Sequence, residues 1–358
     1  MRLAWVEVRD FRNHGETALE VPAGLVAAVG PNAHGKTNLL EAIHYLLTLS
    51  SPRASSDEPL VRRGAGQAFL RGEVETASGR VLVEVEVRAS GANRVQINRS
   101  GVRRKRDLRG RVRSVISVPE DIAIVQGDPD ERRRFMDEAV QALWPAEEAP
   151  RRAYDRALRQ RNRLLKEHES PDPPRGLEAW DSELVAHGSR VTAARRRAMA
   201  MVAPRADDAF RQVTGTGLRV EYRPSVVGEG GEGAFRAQLA ARREDELVRR
   251  TTLVGPHRDE LELGVGELTA RRFASHGEAW AAALCLRLGL AGALEAEAEE
   301  PPVLLLDDPF SGLDPTRRRR LGDLLAGRGQ VLVSAPDHNH VPAGASVWEV
   351  RDGTVRHR

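Results

Sequence analysis

The sequence predicts an α/β fold: a mixed sheet around a phosphate loop, interrupted by an inserted helical lobe. Three observations predict it. An apolar run, Leu25-Val26-Ala27-Ala28-Val29, leads as a buried strand into Gly30-Pro31-Asn32-Ala33-His34-Gly35-Lys36-Thr37, which completes the pattern G-x-x-x-x-G-K-[ST]. A second apolar strand, Pro302 to Leu306, ends in Asp307-Asp308. Thr37 and Asp307 are 270 positions apart, more than a compact phosphate-loop domain needs, and the middle of that stretch has helical periodicity. The expected division is residues 1–125 with 251–358 as the phosphate-binding lobe and 126–250 as the helical lobe.

The loop's context supplies its chemistry. Leu39, Leu40, Ile43, Leu46 and Leu47 mark a helix from Thr37 to Leu47 directly after it. Glycines let backbone N–H groups curl around a triphosphate, and the helix N-terminus adds positive partial charge. Lys36 reaches the outer phosphates and Thr37 offers its hydroxyl to Mg²⁺. The candidate ATP-binding residues are therefore Gly30, Pro31, Asn32, Ala33, His34, Gly35, Lys36, Thr37 and Asn38. Asp307 is placed to hold the metal through water, and Asp308 to orient or deprotonate the attacking water. Lys36, Asp307 and Asp308 are the candidate catalytic residues, with Thr37 and Asp307 on the metal.

Bulk properties fit two lobes. A chain of 358 residues exceeds one ordinary core, and 41% hydrophobic content is globular, with no apolar stretch near the length of a membrane span. Met1 to Glu7 reads as an amphipathic strand. A single cysteine, Cys285, excludes an internal disulfide and suits a reducing cytoplasm. Net charge is only +3, yet three of the 55 cationic residues are lysines. Lys36 survives in this arginine-rich chain because a slim point charge threads among phosphates where a planar guanidinium fits poorly.

Strands are expected at Leu3 to Val8, Thr17 to Val21 and, alternating as antiparallel pairs, across residues 67–99, clearest in Val81 to Val87. Ile116 to Pro119 reads as another. Glu148 to Glu169 and Gly176 to Ala203 read as helices separated by Ser170-Pro171-Asp172-Pro173-Pro174. Trp180, Leu184, His187, Val191, Ala194, Ala198 and Met201 follow steps of four and three. Tyr154, Leu158 and Leu165 share one face of the first helix, with Arg161 breaking the seam. A short antiparallel helical hairpin accounts for this, and so does ordinary helix packing without supercoil. Residues 228–234 are glycine-rich and read as a surface loop.

A third motif stands before the aspartate strand. Ser275, Gly277 and Glu278 open a long apolar helix, and a Ser-x-Gly-[Gln/Glu] turn in that position is the signature arrangement of ABC-type ATPases. There the serine hydroxyl, glycine N–H and helix dipole grip the γ-phosphate of a nucleotide held by a second subunit. Ser311-Gly312-Leu313-Asp314 lies where a loop facing that partner belongs. In the strand Val331 to Asp337, Pro336 occupies the place where transporters carry a histidine, and His338 is displaced from it.

Several stretches together carry a wider likeness: Asp10-Phe11-Arg12-Asn13, Lys36 to Ile43, Pro119-Glu120-Asp121, Gly127 to Asp137, Ala157 to Asn162, Thr252 to Asp259, Phe273-Ala274-Ser275 and Leu306 to Ser311. Nearly end to end the chain resembles the RecF family of recombination mediator ATPases, related to the heads of SMC and Rad50 proteins. The Gly255-Pro256-His257-Arg258-Asp259 stretch is not shared by generic ABC proteins. Two departures stand out: His276 and Glu278-Ala279-Trp280 replace a more usual glutamine-rich stretch, and Ala33-His34 replaces Gly-Gln. The resemblance implies an ABC/SMC-like head, ATP-dependent homodimerisation on DNA, slow DNA-stimulated hydrolysis, and loading of recombinase at gapped or single-strand/double-strand junctions in repair, replication restart and the SOS response. It implies RecR and RecO as partners, a cytoplasmic location without membrane contact, Arg12 near the nucleotide, and a loop from Glu120 to Gln126 linking the ATP site to the helical lobe.

Arg103, Arg104, Lys105 and Arg106 form the densest basic cluster and are the candidate DNA contacts, since clustered cations neutralise phosphates irrespective of sequence. Arg195-Arg196-Arg197 and Arg317 to Arg320 lie on helices, where they diverge. Aromatic content of 4% favours duplex backbone contact over base stacking. Two other functions fit part of the pattern, a clamp that ATP orders but that barely turns over, and the energising subunit of a transporter.

Overall fold

The computed structural model describes residues 1–357 other than 103, 169, 171, 229 and 230, and of Lys105 the backbone only. The apolar runs assemble a six-stranded sheet in the order Thr354–His357, Ser346–Arg351, Leu25–Val29, Val331–Ala335, Val303–Leu306, Ser114–Ser117. All pairings are parallel except the hairpin formed by the first two strands of that order. Continuous apolar sequence is what such strands require, because both faces are covered. Ala27, Val29, Leu304, Leu306, Val331 and Val333 face one core, shared with helices Leu177–Thr214 and His276–Ala298. Val26, Val303, Leu305 and Leu332 face another, shared with helix Lys36–Thr48.

That second core is closed by an antiparallel sheet in the order His14–Glu20, Arg2–Phe11, Gln67–Thr76, Gly79–Arg88, Arg94–Ile97, Ser100–Gly101. Val81, Val83, Val85 and Val87 point inward at period two. The phosphate-loop helix thus lies between two sheets, which is why its residues are buried almost all round.

The helical lobe contains helices Pro129–Leu143, Glu148–Glu167, Leu177–Thr214, Gly231–Ala241 and Arg243–Arg249. The glycine-rich stretch expected as a loop enters a helix at Gly231, with 229 and 230 outside the described residues. Strand Leu218–Arg223 pairs with Glu260–Val265, so one small sheet spans the expected boundary at 250/251. The long helix does not stop at Ala203 but continues through Pro204. Proline removes an N–H from the helical ladder. In the same turn the Arg205 side chain donates to the Met201 carbonyl at 2.8 Å. Helix His276–Ala298 crosses close by: a Cβ on Gly289 would sit 2.8 Å from the Val202 carbonyl, so that contact needs glycine.

Two arginines hold this lobe from inside. Arg161, which interrupts the apolar seam, is fully buried and bonds Asp181 (2.7 Å), Thr252 (2.8 Å) and Glu246 (2.5 Å). Arg195, from the helical run Arg195-Arg196-Arg197, is also buried and bonds Asp137 (2.8 Å), the Pro256 carbonyl (2.6 Å) and Asp259 (3.0 Å). Tyr154 meets His257 Nδ1 at 2.6 Å. The Gly255–Asp259 stretch is therefore a buckle in the lobe's core. Residues 120–126, expected as a loop, are helical, in Pro119–Asp121 and Ile122–Gln126. Helix His276–Ala298 is long and apolar enough to cross a membrane by composition, but 83% of its apolar window is buried inside the molecule, as suits a core helix.

Candidate active site

Strand Leu25–Val29 delivers the loop from Gly30 to Gly35 into helix Lys36–Thr48. Gly35 has φ +111°, and a Cβ there would lie 2.8 Å from the Asn13 amide nitrogen and 3.1 Å from His14 Nε2. Only glycine satisfies both constraints. Ala33 also takes a left-handed conformation, φ +68°. The loop is braced from two sides. The buried His14 places Nε2 3.0 Å from the Gly35 carbonyl, and burial holds its pKa below the ordinary value. From the hairpin turn at Asp352-Gly353, Gly353 N–H donates to the His34 carbonyl (2.9 Å) and Asp352 N–H to His34 Nδ1 (3.2 Å). Asn38 donates to Asn13 Oδ1 at 2.8 Å. Pro31 and Asn32 are exposed at the loop's crest.

Lys36 folds back over the loop, its Nζ donating to the carbonyls of Gly30 (2.6 Å) and Pro31 (2.8 Å). Burial lowers its pKa, opposed by Asp307 and Asp308. Thr37 Oγ1 donates to Asp307, 2.9 Å from Oδ1 and 2.7 Å from Oδ2. Ser334 donates its hydroxyl to Asp307 Oδ1 (2.6 Å) and accepts from Asp308 N–H (2.8 Å). This serine, at the end of strand Val331–Ala335, escaped sequence reading; its place beside the strand-end histidine position was the available signal. Asp308 adopts φ +47°, and its buried Oδ1 has no hydrogen-bond partner. Burial first, and then Asp307, raise its pKa above the usual carboxylate range, while a hydrogen bond from Ser311 and the charges of His340 and Lys36 oppose the rise. His340, held by Asp337 at 2.9 Å, is the histidine near this carboxylate. A hydroxyl and a carboxylate in contact are hard oxygen donors, and no cluster of three or more His, Cys, Asp or Glu that could hold a metal exists among the described residues. That chemistry fits Mg²⁺, which takes one or two protein ligands and fills the rest with water and phosphate.

Ser275 caps the 23-residue helix His276–Ala298. Its N–H (2.9 Å) and hydroxyl (2.7 Å) donate to Glu278, whose own N–H donates back to the Ser275 hydroxyl (3.3 Å). Ser275 is exposed, and Gly277 packs against the Gly312 carbonyl. No hydrogen bond joins Ser275, Gly277 or Glu278 to Lys36, Thr37 or Asp307 among the described residues. Asp314 caps the following helix by accepting from the Thr316 (2.9 Å) and Arg317 (3.0 Å) N–H groups. Buried Arg287 ties the same long helix to Asp121 (2.6 and 3.0 Å) and Glu138 (2.8 Å).

Arg12 does not point free into the loop. It grips the buried Glu41 with Nε (2.9 Å) and NH2 (3.0 Å), and Glu41 also takes Ser51 (2.6 Å) and Arg53 (2.5 Å). Burial would raise the Glu41 pKa, but Arg12, Ser51 and Arg53 outweigh it and hold it low. Of the basic cluster, Arg104 is exposed at the start of the short helix Lys105–Arg109 and Arg106 is half-buried near Asp107. Arg103 and the Lys105 side chain lie outside the described residues.

A phosphate loop and a distant aspartate strand brought into contact, on a chain that also carries a serine-capped helix, make this an ABC-type ATPase head. The family model described as "RecF/RecN/SMC N terminal domain" matches residues 2–355. The DNA replication and repair protein RecF of Streptomyces avermitilis is 43% identical, with 99% of each chain covered. That of Renibacterium salmoninarum is 39% identical, again with 99% of each covered. A solved structure of "the recombination mediator protein RecF-ATP in RecFOR pathway" superposes with a TM-score of 0.88 at 28% identity, covering 99% of this chain and 97% of that one. The Smc head of Pyrococcus furiosus, at 17% identity and a TM-score of 0.58, shares the fold. The chain belongs to the RecF family of DNA replication and repair ATPases.

Proposed function

We propose that this chain is an ATP-operated switch on DNA, in which two copies close around two ATP molecules and hydrolysis reopens them. The observation that carries the reading is the exposed Ser275 turn, an anion-ready end of a long helix, on a chain that already assembles Lys36, Thr37 and Asp307. Ser275 now gives both its donors to the Glu278 carboxylate. A partner's γ-phosphate is the kind of anion that would take them over.

In the closed state Lys36 would leave the Gly30 and Pro31 carbonyls for the outer phosphates. Thr37 and Asp307 would hold Mg²⁺, which neutralises developing charge on the phosphates. Asp308, its proton affinity raised, would take a proton from the attacking water. Arg104 and Arg106, with Arg103 and Lys105 beside them in sequence, are the proposed duplex contacts. The lobe of residues 126–250 would ride rigidly on the ATPase lobe (1–125 and 251–358), because they share a sheet and a core. The relatives' pathway supports RecR and RecO as partners, loading of recombinase at gaps or junctions, and a cytoplasmic location.

Light scattering with ATP, with ADP and without nucleotide tests the reading. Wild type should double its mass with ATP alone, and Ser275→Arg should stay monomeric while still binding ATP. A Ser275→Arg protein that dimerises as well as wild type would sink it.

A further inference from the structure

A cavity of about 340 Å³ lies between the phosphate-loop helix, the edge strand Ser114–Ser117 and helices Pro129–Leu143 and His276–Ala298. That volume is in the range of small-molecule sites, which favour boundaries between lobes. One wall is apolar, formed by Val112, Ile116, Phe135, Leu290 and Leu294. Its lining carries four arginines and four carboxylates, but they are unevenly paired. Arg287 is paired with Asp121 and Glu138, and Arg134 with Glu131 at 2.6 Å. Arg109 makes no direct ion pair among the described residues, although Glu148 and Glu138 lie near enough to act on its charge. Its Nε donates to the Thr48 carbonyl (2.9 Å), its NH1 to Gln141 Oε1 (3.0 Å), and its NH2 to no described group. Arg113, also on the lining, makes no ion pair among the described residues; exposed Glu120 is the lining carboxylate without one.

A partly buried guanidinium that meets only neutral oxygens keeps unused donors, and an anion is the partner that satisfies both donors and charge. Beside it His44 sets Nδ1 2.9 Å from Ser114 Oγ; burial, then the charges of Arg287 and Arg109, push its pKa down to about 3, so it offers the cavity an uncharged polar group.

We propose that this cavity is a binding site for a small amphipathic monoanion. Its acidic head would sit on Arg109, with Arg113 beside it, and its aromatic or aliphatic body would lie against Ile116, Phe135 and Leu290. The walls include the end of the helix that Lys36 opens and the middle of the helix that Ser275 caps. An occupant would therefore touch both elements that carry the ATP machinery.

The test uses 1-anilinonaphthalene-8-sulfonate, an aromatic body with one sulfonate, on the full chain. Its fluorescence should rise to a single saturable level, and decanoate should displace it while decylamine does not. Arg109→Gln should weaken binding about tenfold, the scale of one lost charge-assisted contact. Ala142→Phe, which adds a ring to the lining from a partly exposed position, should abolish the saturable signal; exposed Arg159→Gln should bind as wild type does. Equal binding by wild type, Arg109→Gln and Ala142→Phe overturns the proposal, as does displacement by decylamine as readily as by decanoate.

Discussion

Thr37 Oγ1 lies 2.7 Å from Asp307 Oδ2, a contact between residues 270 positions apart. The parallel strands carrying the two motifs flank Val331–Ala335, whose Ser334 also bonds Asp307. Removing the Thr37 hydroxyl would delete one of the two proposed hard-oxygen ligands for Mg²⁺. Thr37→Ala should weaken ATP binding by at least about tenfold in Mg²⁺ and far less in EDTA. Titration with a fluorescent ATP analogue in both buffers measures the difference.

Asp308 is expected to act on the attacking water and not on ATP affinity. Asp308→Asn should lower single-turnover phosphate release by roughly 10²–10⁴-fold, the usual worth of a general base, with nucleotide binding near wild type. A rate within a few-fold of wild type would move the base elsewhere.

Arg161 sits between two carboxylates at zero exposure. Arg161→Met would strand Glu246 and Asp181 with part of their charge unpaired, a loss on the order of 3–5 kcal/mol. Urea unfolding followed by circular dichroism should show it as a lower midpoint.

His44 gives a pH dependence of definite sign. Its folded pKa, about 3, lies below the ordinary value of 6.5, so the unfolded chain binds more protons between those limits. Stability is fully present above pH 6.5 and falls as pH drops toward 3, by up to about 1.4 kcal/mol per pH unit from this residue. Urea midpoints at pH 7 and pH 5 should differ less in His44→Gln than in wild type.

What sequence revealed here follows from how local each signal is. The phosphate loop, the aspartate strand and the Ser275 cap are contiguous patterns whose chemistry sits within a few residues, and the Ser275–Glu278 spacing is itself a capping box. Arg161 and Arg195 were illegible because a cation in an apolar stripe is explained only by carboxylates brought from elsewhere, Glu246 and Asp181 for one, Asp137 and Asp259 for the other. The same holds for Arg12, which reads as a free cation until Glu41 appears beside it. Pro204 signalled a helix end that tertiary packing overrode.

Strand Leu25–Val29 has its two sheet neighbours, Val331–Ala335 and Ser346–Arg351, from the far part of the chain, and His34 is braced by the turn just beyond them. On the ribosome, then, the phosphate-loop segment emerges well before these two strands and waits, unsupported, until they are translated. A polypeptide stalled before residue 330 would lack the framework to grip ATP, so abortive products of synthesis would be kept from competing with finished molecules.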